Sequence, residues 1–201
     1  MQETRKISSS AFIQAVAYQG TVIAPQTVSA YQRDARDITG PLDQQIFEAC
    51  DFVRKNMQVA AKKGSAGGRE DIPQFDMLAV FEAVTNAVAH RDYSMSGSKV
   101  RLRLFDDRLE LFTPGLLANT MTTESLPTGR LPETRLLPAY WRVARLNGDD
   151  FKSHRTHIMD KRGEGGADHP FSKRGAFGHT PEYRLIDESE LLLTIYATPG
   201  S

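Results

Sequence analysis

The sequence predicts an α+β domain whose helices pack on one face of a mainly antiparallel sheet. Three features predict it: two segments with apolar residues at three- and four-residue steps, an alternating hairpin near residue 100, and a second strand pair near the C-terminal end. The 201 residues suffice for one domain with a real core. Lys and Arg number 25 and balance 25 Asp and Glu, so the zero net charge argues against a dedicated nucleic-acid module. The single cysteine, Cys50, excludes an internal disulfide framework and fits a reducing compartment. No apolar run is long enough for a membrane helix, and MQETRKISSS lacks the apolar stretch of a signal peptide. A cytoplasmic location is expected, with no membrane partner.

The first forty residues read as an N-terminal extension or the remnant of a preceding domain, with the main domain over residues 41–201. Within that extension Ala11–Tyr18 is mostly apolar, and Thr21–Ala24 has the composition of a short strand. Gly40-Pro41 then punctuates the chain, since proline is tolerated in a first helical turn. Leu42, Ile46, Ala49, Cys50, Val53 and Met57 define one apolar helix face, and the spacing predicts a helix over Leu42–Ala61. Lys62-Lys63-Gly64 has the cations and glycine that suit its C-terminal end. Gly64–Arg69 reads as a loop. Asp71-Ile72-Pro73-Gln74 has the spacing of a capping box and opens a second helix over Phe75–His90.

After the turn residues Asp92–Ser98 the period changes to two. Val100, Leu102 and Leu104 alternate with Lys99, Arg101 and Arg103, and Leu109 and Leu111 alternate with Glu110 and Phe112 around an Asp106-Asp107-Arg108 turn. Glu182–Ile186 and Glu190–Tyr196 form a second strand pair around Asp187-Glu188-Ser189. The region between the hairpins gives a weak signal. Lys99, Arg101 and Arg103 form a basic strand face that reads as ordinary solvation, since charged edges keep sheets soluble. His154 and His157 lack a second ligand pair at metal spacing, and Trp141 lacks the aromatic neighbours of a stacking platform.

The second helix is the chemically informative element. Glu82, Asn86 and His90 fall four residues apart in one row, beside a row of Ala79, Ala83 and Ala87. Glu82 is the only charged residue between Asp76 and His90, so this face is expected to be covered. Two accounts fit the spacing. In one, Glu82 and Asn86 are the polar side of an amphipathic helix; in the other, Asn86 offers oxygen to Mg²⁺ and Glu82 polarises water as a general base.

The run Glu82-Ala83-Val84-Thr85-Asn86-Ala87-Val88-Ala89-His90-Arg91-Asp92-Tyr93-Ser94, then Phe105–Leu111 and Pro114-Gly115, resembles the C-terminal region of RecG-related proteins. Those proteins are described as ATP-dependent DNA helicases or transcriptional regulators. Their region is similar to the GHKL ATPase fold of gyrase and histidine kinases, a sandwich of helices on one sheet face. The resemblance implies ATP and Mg²⁺ as cofactors, Glu82 as the catalytic base and Asn86 as the metal ligand. It also implies nucleotide contacts from His90, Arg91, Asp92 and Gly115, and from a glycine lid at Gly163, Gly165 and Gly166. DNA contact would come through an N-terminal AlbA-type domain, for which nothing before Gln14 has the length, so the chain reads as a C-terminal piece. A homodimer is compatible with this class.

The chain departs from that pattern in three places. Thr113-Pro114-Gly115 stands where an adenine-binding Asp-x-Gly-x-Gly is expected, which predicts slow hydrolysis or none. Segments 136–146 and 166–177 break the family's pattern in the manner of compensated frameshifts, and Pro138 and Pro170 oppose the helices expected there. No Gly-x-x-x-x-Gly-Lys run occurs, and the length cannot hold two motor domains, so the chain is not a helicase by itself. The function expected is nucleotide-binding regulation, with a non-enzymatic DNA-binding or protein-interaction regulator as the alternative.

Overall fold

A computed structural model describes residues 11–23, 32–63, 68–115 and 181–198. In chain order these form β1 (Ile13–Tyr18), β2 (Gln32–Ile38), α1 (Leu42–Asn56), β3 (Val59–Lys63), β4 (Arg69–Pro73), α2 (Met77–His90), β5 (Val100–Leu104), β6 (Arg108–Pro114), β7 (Glu182–Ile186) and β8 (Glu190–Tyr196). Six strands make one sheet in the order β2-β1-β5-β6-β8-β7, while β3 and β4 pair separately. Among the described strands only β1 and β5 run parallel, and every other pairing is antiparallel. Parallel neighbours need a long crossover, and here it carries α1, the small hairpin and α2. The fold is the α+β arrangement the sequence predicts.

Alternation sets the core. Ile13, Ala15 and Ala17 of β1, Val100, Leu102 and Leu104 of β5, and Leu109 and Leu111 of β6 all turn to the helical side and are buried. Ile46, Ala49, Cys50 and Val53 of α1 meet them, as do Val80, Val84 and Val88 of α2. Each such side chain contributes roughly 1.5–3 kcal/mol on burial. Helix α1 lies over β1, β2 and β5, and α2 lies beside α1 over β6. Asp187 and Glu188 both take positive φ in the β7–β8 turn, the backbone a tight hairpin of right-handed twist requires.

Four expectations are corrected. The boundary near residue 40 runs through the sheet: β1 sits between β2 and β5, and Ile13 and Ile38 are fully buried, so residues 11–38 are not an appendage. Residues 21–23 are not a strand; Gly20 takes φ +88 and its N–H donates to Asp106 Oδ2 at 2.6 Å, which closes the chain end instead. Helix α1 stops at Asn56 rather than Ala61. The Asn56 amide donates to the Phe52 carbonyl at 3.0 Å and to Asp34 at 2.9 Å, and Met57 is already extended. The Val59–Lys63 segment then pairs with Arg69–Pro73.

The capping box is the fourth. Asp71 lies in β4, and the residue that caps α2 is Asp76, whose Oδ1 accepts from the Leu78 N–H at 2.8 Å. Gln74 is instead 1% exposed and satisfies three backbone groups. Its Nε2 donates to the carbonyls of Phe105 (2.9 Å) and Asp106 (2.8 Å), and its Oε1 accepts from the Gln58 N–H at 2.9 Å. Gln45 does the same at the other end, donating to Ala11 and Gly40 carbonyls at 2.8 Å each. Truncating Gln74 orphans buried groups, each worth about 1–3 kcal/mol. Gln74→Ala should therefore lower unfolding stability by on the order of 3 kcal/mol, whereas Gln44→Ala, at an exposed helix position, stays within about 0.5 kcal/mol. Equal urea midpoints for the two variants would refute this role of Gln74.

Candidate functional site

Helix α2 presents its valines to the core and its Glu82–Asn86–His90 row to the opposite side. The row is about 12 Å long at 1.5 Å per residue. Glu82 is only 6% exposed although it is the one charged group in the middle of the helix, while Asn86 and His90 are half-buried. Ala79, Ala83 and Ala87 lie beside the row and are buried, as the sequence pattern predicts. Leu78, on the first turn, is 44% exposed.

A side chain that feels the charge of Glu82 comes from β7. Tyr183 projects to the helical side of the sheet and packs against the core. Burial pushes its phenol up to about 12, and the negative charge of Glu82 adds to the rise. Sequence reasoning did not select Tyr183. Its place opposite Leu193 in the β7–β8 register was the available signal, because that parity puts it on the same face as α2. Burial also lowers the His90 imidazole below its ordinary 6.5.

The end of α2 is tied to the end of β6. The Tyr93 hydroxyl donates to the Val88 carbonyl at 2.7 Å, satisfying an acceptor of the last helical turn. Arg91 is buried, donates to the Ser98 carbonyl and lies 5.0 Å over the Tyr93 ring. The Asp92 N–H donates to the Pro114 carbonyl at 2.8 Å. Its carboxylate accepts from the Ser94 N–H at 2.8 Å and hydroxyl at 2.6 Å, and those bonds hold it below the usual carboxylate range. Gly115 takes φ +127 against Asp92, and its N–H donates to the Ser189 carbonyl at 2.9 Å.

The structure thus divides the expected site residues into two groups. Glu82, Asn86 and His90 share one helix edge. Arg91, Asp92 and Gly115 form a clasp whose polar groups bond to Ser98, Ser94, Pro114 and Ser189, so their observed contacts are structural. Gly163, Gly165 and Gly166 lie outside the described residues, as do His154, His157, Trp141, Pro138, Pro170 and the two divergent segments. Among the described residues no group of three His, Cys, Asp or Glu side chains stands ready to hold a metal. Among them, too, no helix is long and apolar enough to cross a membrane.

The sandwich of two helices on one face of a six-stranded sheet defines the class by fold alone. Among solved structures the chain is similar to the DIP2311 protein of Corynebacterium diphtheriae, with a TM-score of 0.66 at 20% identity over 95% of this chain. The chain spans 34% of that protein's length, and the likeness is one of fold. No family model and no curated protein matches the chain.

Two predictions follow from the geometry around α2. A Cβ on Gly115 would come within 3.2 Å of both Cβ and N of Asp92, and the backbone there disfavours any side chain. Gly115→Ala should therefore cost about 1–3 kcal/mol and loosen the Asp92–Pro114 bond, read as faster amide exchange at Asp92. Unchanged melting and exchange would refute the clasp.

For His90 the folded value lies below the unfolded one, so as pH falls the unfolded state takes the proton first. Stability from the neutral, half-buried ring is complete above about pH 6.5 and is lost as pH falls below it. His90→Gln should flatten that part of the stability profile between about pH 7.5 and 5.5. Parallel profiles for the two proteins would count against it.

Proposed function

We propose that the chain is a nucleotide-binding regulatory domain related to the RecG-associated class, taking Mg-ATP at the Glu82–Asn86 edge of α2. The observation that supports this most is the burial of the Glu82 carboxylate on the α2 edge it shares with Asn86. Both side chains offer hard oxygen atoms, the ligand type that suits Mg²⁺. Mg²⁺ is commonly held by one or two protein groups together with substrate phosphates, so a single protein ligand at Asn86 fits a metal that arrives with its nucleotide. Asn86 Oδ1 would hold the ion, which supplies charge neutralisation at the phosphates. Glu82 would take the proton from an attacking water on a carboxylate oxygen.

A second reading, a regulator that keeps the fold without ATP, has its own supporting observation. At Thr113-Pro114-Gly115, where the related fold recognises adenine, the Pro114 carbonyl and the Gly115 N–H are already bonded to Asp92 and Ser189. No acidic side chain stands in that stretch to replace them.

A thermal shift with Mg-ATP separates the readings. Nucleotide at a hundred times its dissociation constant should stabilise by about 2.7 kcal/mol, and no shift at millimolar concentration favours the second. Asn86→Ala should abolish the Mg-dependent shift with the apo melting temperature nearly unchanged. Glu82→Gln should keep binding and remove whatever hydrolysis exists, because the amide cannot take a proton. An Asn86→Ala protein that loses about 1–3 kcal/mol, from a parent that never bound nucleotide, would end the ATP reading.

A further inference from the structure

Strand β2 ends the six-stranded sheet on one side, and among the described residues no strand pairs with its outer edge. An outer strand carries a row of backbone N–H and C=O groups that a further strand can pair. Sheets commonly guard such an edge with lysine or proline, and β2 has neither. It reads Gln32-Arg33-Asp34-Ala35-Arg36-Asp37-Ile38, with charges of opposite sign placed symmetrically about Ala35. Only Ile38 is buried and Asp34 half-buried; the other side chains are exposed. From Asp34 to Ile38 the strand keeps a regular register with β1, and the irregularity at Tyr18 touches only its first two residues.

Two copies of one strand pair antiparallel about a two-fold axis. Facing residues must both direct their N–H and C=O groups toward the partner or both away, so the axis passes through a residue rather than between two. An axis at Arg33, Asp34, Arg36 or Asp37 sets a charge against its own copy, which is destabilising. With the axis at Ala35, Arg33 faces Asp37 and Asp34 faces Arg36, so every charge of the strand meets its opposite. Asp34 and Arg36 stand level with Ala17 and Ala15, hence on the helical face, where each already touches α1. Arg36 Nη2 lies 2.8 Å from Glu48 Oε2; Asp34 Oδ2 lies 3.5 Å from Lys55 Nζ and accepts from Asn56 at 2.9 Å. Those contacts leave capacity, since a guanidinium has about five N–H donors and a carboxylate about four acceptor positions. The same register brings Lys55 level with Glu48 of the second copy. A second tier of opposite charges, on α1, thus follows the first.

We propose that the chain self-associates through β2, two copies adding edge to edge about a two-fold axis at Ala35 to make one continuous sheet. The partner is a second copy because the charge order of this edge is complementary to itself, a match that an unrelated strand would meet only by chance. Exposed charges are screened over about 8 Å at physiological salt, so the dimer weakens as salt rises. The surface is separate from the nucleotide edge, because α2 lies over β6 and not over β2. It neither uses nor requires the Glu82–Asn86 reading.

The test is sedimentation velocity of the full chain over a series of protein and salt concentrations. Wild type should form dimers at low salt and shift toward monomer as salt rises. Arg33→Asp with Arg36→Asp makes the edge wholly acidic, and Asp34→Arg with Asp37→Arg makes it wholly basic. Each variant alone should dimerise at least roughly tenfold more weakly, because every facing pair becomes like-charged. Mixed in equal amounts the two should associate with each other, since the same register then sets acid against base throughout. Asp37→Asn leaves the contacts of Asp34 and Arg36 with α1 in place, and should weaken the dimer roughly threefold with an unchanged melting curve. Lys62→Gln with Lys63→Gln removes charge from the small hairpin and should leave dimerisation intact. A wild type that stays monomeric across the series would overturn the proposal. So would acidic and basic variants that each dimerise as wild type does, a mixture of the two that stays monomeric, or equal weakening by the hairpin variant.

Discussion

The position of α2 depends on the buried amide of Gln74. The chain between β4 and α2 crosses the turn end of the β5–β6 hairpin, where Phe105 and Asp106 carry backbone carbonyls away from the sheet ladder. Gln74 donates to both of them and accepts from Gln58, while its own N–H and carbonyl bond Gln58 and Thr198. One residue therefore links the end of α1, the start of α2, the central hairpin and the end of β8. Inside a protein such groups cannot fall back on water, so every bond in the set holds the others in register. The rotation of α2 about its axis, and hence the direction in which Glu82 points, is set from this end.

The other end of α2 is set by backbone contact rather than by a side chain. Gly115 allows β6 to approach Asp92 more closely than any other residue would, and the Asp92 N–H reaches the Pro114 carbonyl. Tyr93 returns to Val88 and Arg91 fills the space beneath the turn. These residues lie beside the Glu82 row in sequence, and the resemblance groups them with it. Their polar atoms serve the helix end. A residue can thus belong to a strong sequence pattern because it holds a neighbour in place.

The sheet separates two kinds of surface. On the helical side, aliphatic side chains exclude water and leave one carboxylate, that of Glu82, near a phenol it helps to keep protonated. On the other side, the guanidinium groups of Arg101 and Arg103 lie 4.5 and 4.8 Å from the ring centroid of Phe112. The period of two along β5 produces both at once, since Leu102 and Arg103 are neighbours in sequence and point to opposite faces.

The sequence by itself determined the elements whose packing is periodic. The apolar steps of Leu42–Val53 and of Phe81–Val88, the alternation of β5 and β6, and the β7–β8 pair are all legible because each side chain's fate follows from its own position along a helix or strand. The row of Glu82, Asn86 and His90 was legible for the same reason. What the tertiary structure decided lies where a partner distant in the chain competes with a local preference. Gln32–Ile38 has no alternation, and only Ile38 is buried; it is a strand because β1 supplies its hydrogen bonds. Val59–Lys63 has the composition of a helix end, yet pairs with Arg69–Pro73, and Gln74 leaves a capping-box pattern to satisfy carbonyls 31 and 32 residues away. The charge of Glu82 acts on the Tyr183 phenol across an even longer separation. Periodicity is a property of a short segment, whereas an edge strand or a buried amide is satisfied only by groups that folding brings to it.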